Sequence, residues 1–137
     1  MSISHFALSS VCIGFANTCI EWFIIGFLFH RFQAITPQTW RPESNRSYLY
    51  STLLSFLFGV LFTFFYFKIG RHYILRSNIL WSDIKLGIIC FACFSFIPEV
   101  GNAIYINYNN KFSIGKLIAS CLSYIAAAII TGLFYWR

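Results

Sequence analysis

Residues Tyr48 to Phe67 read YLYSTLLSFLFGVLFTFFYF, twenty consecutive positions without one charged side chain. As an α-helix such a run rises about 30 Å, the thickness of a bilayer's hydrocarbon core. Lys68 and Arg71 end it where charge can return to water. Lipid offers the backbone no hydrogen-bond partners, so a spanning segment must satisfy its own, and a helix does so. The stretch is therefore expected to cross a membrane.

Working outward, three further runs have the same character. One extends from about Phe6 to Phe29 and stops at His30-Arg31. Another runs from about Ile84 to Ile106, ahead of the Asn-rich segment 107–110. The last runs from about Ile114 to Trp136, with Ser113 as its expected N-cap. The expected fold is all-α: a polytopic membrane protein of one domain, residues 1–137, whose four transmembrane helices (6–29, 48–67, 84–106 and 114–136) bundle as two similar hairpins. Composition agrees, with 58% hydrophobic and 10% charged residues and a mean hydropathy of +0.69, far from a soluble domain's charge content of roughly a quarter. With four spans filling most of these residues, no separate soluble domain is expected within them. The N-terminal Met-Ser-Ile-Ser-His lacks a basic n-region, so the first apolar run is expected to stay in the mature protein.

The net charge of +6 is placed in connections and ends, where it meets anionic headgroups; nucleic acid is not an expected partner. Five basic residues (Lys68, Arg71, Arg76, Lys85, Arg137) fall on the side of the termini and five (Arg31, Arg41, Arg46, Lys111, Lys116) on the other. The basic connection between spans two and three leans the termini toward the cytoplasm. Trp81, Trp136 and Trp40 are placed at the interfaces, and Pro37 and Pro42 keep their loop from being helical.

Small and polar residues fall at helical spacing. Span one carries Ser10, Gly14, Asn17 and Glu21, and span three carries Ser95, Glu99 and Asn102, each on one stripe. Span two carries Ser51, Ser55, Gly59 and Thr63, and span four carries Gly115, Ala119, Ser123, Ala127 and Thr131, all at steps of four. Rows of small residues let helices approach closely in lipid and are the expected packing faces, toward one another or toward helices of a homo- or hetero-oligomer.

Two acids inside spans are costly, at roughly 2.5–3.5 kcal/mol each, and need partners. Glu21 and Glu99 fall at similar depth, with Asn17, Asn102 and Ser95 on their faces. They are the candidates for a proton, cation or polar-ligand site. The alternative is a structural hydrogen-bond network, with Arg31 or Lys111 reaching inward. Pro98 frees the Phe94 carbonyl and is expected to kink the helix beside Glu99. Cys90 and Cys93 have dithiol spacing and raise a thiol oxidoreductase, but with no neighbouring charge to stabilise a thiolate, apolar packing is the favoured reading. His30 is favoured as a polar anchor over a cofactor ligand. No catalytic signature, metal spacing or cofactor motif is found, and none of these is expected.

The aromatic end of span one (Trp22 to Phe32), the segment Pro37-Gln-Thr-Trp40-Arg-Pro42 and the two hairpins of similar size resemble a family of small bacterial four-span membrane proteins defined only as a domain of unknown function. The resemblance implies a multi-pass protein of a bacterial inner membrane and transfers no active site. The functional expectation is a non-enzymatic accessory or structural subunit, or a homo-oligomer. The alternative is a small proton-coupled transporter or ligand carrier using Glu21 and Glu99.

Overall fold

A computed structural model describes residues 3–36, 38, 44–70, 79–106 and 109–135. Within them the chain is helical, and four helices are long and apolar enough to cross a membrane: Ile3–Leu28, Asn45–Lys68, Leu80–Tyr105 and Asn110–Tyr135. The expected positions of Trp40, Pro37, Pro42, Arg41 and Trp136 lie outside the described residues, as do Arg71 and Arg76.

Helix ends explain where two spans begin. Ser44 is extended, and its hydroxyl accepts from the Ser47 N–H to cap span two. Span four starts before Ser113, because Asn109 takes the capping role: its side chain accepts from the Lys111 N–H at 2.9 Å. Ser113 is thereby left inside the helix, buried and available for a side-chain contact. Span three also begins earlier than expected, which brings Asp83 inside it.

The chain packs in the order two, one, four, three. Span one lies against spans two and four, and span three lies against span four. Spans two and three meet through side chains, Tyr66 on Asp83 and Phe65 on Phe94. Outward faces carry large apolar groups such as Phe15, Leu54, Phe64 and Ile97, as expected where the solvent is lipid.

Small residues make the closest helix contacts, beside a core of Ile13, Phe62, Tyr66 and Leu86. A Cβ on Gly59 would collide with the Ser10 carbonyl oxygen, and one on Gly14 would come within 2.8 Å of the Phe56 Cα. Spans one and two therefore touch backbone to backbone, as a glycine on each side permits. Asn17 Nδ2 donates to Ser55 Oγ at 2.9 Å on one side of this contact, and the Ser9 and Thr63 hydroxyls lie 3.4 Å apart on the other. Gly87, which the sequence reading passed over, does the same for spans three and four: its Cβ would lie 2.8 Å from the Ile125 Cα. Ala119, Ala127 and Thr131 are buried along span four, and Gly115 seats the Phe29 ring.

Pro98 does not break span three. The helix widens into a π turn over Ala92–Phe96 and then continues as α-helix through Ile97–Tyr105. The wider turn takes up the misfit that proline creates. A second π turn, Trp22–Leu28, follows directly on Glu21. Both expected acid-bearing faces thus sit beside irregular turns.

Candidate functional site

Glu21 lies at the last α-helical position of span one, one turn beyond Asn17. Both line a cavity of about 260 Å³ to which all four spans contribute. Span two supplies Ser51, Leu54, Ser55 and Phe58, span three supplies Ser95, and span four supplies Ser120, Ser123 and Tyr124. Phe58 and Tyr124 also line it, their rings edge to face at 5.2 Å between centroids. Ser51 and Leu54 are exposed, so the cavity opens on the outer side of span two.

The lining is polar for a place within a bilayer. Asn17 bonds the Ser55 hydroxyl and also reaches the Glu21 carboxyl. Ser123 is 5% exposed, and its hydroxyl has no hydrogen-bond partner among the described residues. A buried hydroxyl without a partner carries a desolvation cost of about 1–3 kcal/mol.

Glu99 is not on this lining. It is buried one turn from Ser95, toward the interface where span one ends. There Lys116 Nζ stands 2.6 Å from Oε2, and Ser113 Oγ donates to Oε1 at 3.2 Å. The sequence reading counted Lys116, near the start of span four, among the interfacial cations and offered Arg31 or Lys111 as the inward cation. In the structure Lys116 is on the second turn of span four, while the exposed Lys111 and Arg31 stand over the Phe32 ring. Asn102 is exposed and does not reach Glu99. The two carboxyls therefore occupy different surroundings, linked through Lys116, whose charge also acts on Glu21.

Three residues of consequence were missed by sequence reading. Lys116 was hidden by its nearness to a span end. Ser120 stands one turn from Lys116 on the cavity face and belonged to no row. Asp83 is 2% exposed on span three, accepts from the Tyr66 hydroxyl at 2.6 Å and rests against Gly132. Its signal was an acid three residues into an apolar run, beside Trp81 and Lys85.

Cys90 is packed in the apolar core with Leu86 and Phe62, while Cys93 is exposed; both thiols are free. His30 is exposed, and no group of His, Cys, Asp and Glu able to hold a metal occurs among the described residues. The fold and the site define a four-span membrane protein with a polar, acid-bearing cavity. Comparison with protein families, curated proteins and solved structures finds no match to this chain.

Proposed function

We propose that the protein is a small membrane carrier or binding protein whose solute site is the Glu21 cavity. The observation that carries this reading is the lining itself. Glu21, Asn17 and five serines from four helices line open space. Glu99 supplies the contrast: a carboxylate settled for structure is buried with a lysine and a serine on it. Glu21 instead faces a cavity that also holds an unsatisfied hydroxyl.

The accessory-subunit and homo-oligomer reading drew on the small-residue rows of spans two and four and on the aromatic surface. Ser55, Gly59, Thr63, Ala119, Ser123 and Ala127 are buried within the chain itself, which leaves Ser51 and the exposed aromatic side chains as the faces open to a partner helix. A thiol enzyme gains no support from a Cys90 packed among apolar side chains. For location we favour a bacterial inner membrane with cytoplasmic termini. With Lys116 committed to Glu99, the side away from the termini keeps four of its five interfacial cations, against five on the terminal side.

The test is a thermal-stability screen of the purified full chain against small cations, amino acids and polyols, followed by flux of any hit in proteoliposomes. At least one solute class should stabilise the wild type and not Glu21→Gln. If Glu21→Gln matches the wild type for every solute and in flux, the cavity is not a solute site.

A further inference from the structure

From the charges around the cavity we infer that its solute is a small monovalent ammonium, and that the Glu99–Lys116 pair fixes this valence. The inference rests on the reading of the Glu21 cavity as a solute site and adds its chemical class.

Ser95 and Glu99 are one turn apart on span three, and Ser120 and Lys116 are one turn apart on span four. Ser95 and Ser120 line the cavity. The pair Glu99–Lys116, at 2.6 Å, therefore lies about 6 Å beyond that lining, toward the interface. Among the described residues beside the cavity, two carboxylates and one inward-reaching ammonium leave one net negative charge, and it is assigned to the cavity-lining Glu21.

A solute with one positive charge completes the balance. A neutral solute would leave the carboxylate without a counter-charge in a poorly solvated place, and a dication would bring a second charge with no partner. The lining also selects among monocations. The Ser51, Ser95, Ser120 and Ser123 hydroxyls and Glu21 accept hydrogen bonds, which a primary ammonium can donate in three directions. Ser123 also lines this space, with its hydroxyl buried and without a partner among the described residues. The space of about 260 Å³ equals roughly eight or nine water volumes, enough for an ammonium carrying a few carbons. Both a free alkylamine and the ethanolamine headgroup of a phospholipid present this group, and the mouth beside the exposed Ser51 and Leu54 is reachable from either.

The decisive experiment measures equilibrium binding of labelled ethylammonium to the full chain in phosphatidylcholine nanodiscs, with and without phosphatidylethanolamine. Competitors are unlabelled butanediammonium and propanol. Wild type should bind ethylammonium, with propanol failing to compete. Glu99→Gln removes the carboxylate bound to Lys116, so that the Lys116 charge competes with the solute for Glu21, and should weaken binding at least about tenfold. Adding Lys116→Gln to it restores the single negative charge and should bring affinity back to within about threefold. Lys116→Gln alone should shift preference toward butanediammonium. Displacement by phosphatidylethanolamine supports the inference with the headgroup as source; its absence supports a free amine.

The inference is overturned if the double variant, folded by circular dichroism, binds as weakly as Glu99→Gln, or if propanol competes as well as ethylammonium. A different solute that binds wild type but not Glu21→Gln would overturn the ammonium assignment alone. Loss of any Glu21 dependence overturns the underlying reading too.

Discussion

Replacing Gly59 with alanine tests the central contact of the fold. The new methyl would strike the Ser10 carbonyl oxygen and lie 3.0 Å from the Gly14 nitrogen. These are backbone atoms of a helix, so no rotamer change relieves the clash, and spans one and two must separate. Overpacking of this kind costs about 1–3 kcal/mol. Separation also stretches the Asn17–Ser55 and Ser9–Thr63 contacts on either side, each worth about 0.6 kcal/mol in a membrane helix pair. The packing loss is then about 2–4 kcal/mol, offset by the roughly 1 kcal/mol that alanine gains over glycine as a helix former. Gly101→Ala is the control, since nothing lies within 4 Å of its added Cβ; it should be neutral or stabilised by up to about 1 kcal/mol. Reversible unfolding in mixed micelles, titrated with dodecyl sulfate and followed by far-ultraviolet circular dichroism, gives both values. Equal stabilities for the two variants would refute backbone contact at Gly59 and with it the assignment of the small-residue row to the interface between spans one and two.

Two further outcomes follow from buried groups. Tyr66→Phe removes the hydroxyl that donates to the buried Asp83 at 2.6 Å and should cost about 1–3 kcal/mol in the same titration. If Tyr66→Phe unfolds with the wild type, Asp83 does not depend on that hydrogen bond. Cys93, exposed on span three, should react with a membrane-permeant maleimide, whereas Cys90, 2% exposed, should stay unmodified until unfolding; faster labelling of Cys90 than of Cys93 would place the helix face the wrong way round.

Four spans were legible because lipid imposes a length and a composition that few other environments demand. YLYSTLLSFLFGVLFTFFYF satisfies both without reference to the rest of the chain. The packing rows were legible for a similar reason, since helical spacing puts Ser55, Gly59 and Thr63 on one face whatever lies opposite. What lay opposite was not. Nothing in the row states that its glycine meets Ser10 rather than a second copy of the chain, because that follows from the order in which the helices are arranged.

The acids show where one-dimensional reading stops. Glu21 and Glu99 were found because any carboxyl deep in an apolar run must be accounted for, and their matching depths invited one shared pocket. Depth fixes a coordinate along the membrane normal, whereas sharing a pocket needs rotation and neighbours as well. Span four stands between spans one and three and supplies both Ser113 and Lys116 to Glu99. Lys116 was counted with the interfacial cations because cations near span ends ordinarily turn outward, and its side chain keeps 32% exposure while its ammonium reaches inward to Glu99. One lysine thus settles the carboxylate of span three and leaves that of span one as the acid on the cavity wall. The asymmetry between two similar hairpins, rather than their likeness, makes Glu21 the residue to test.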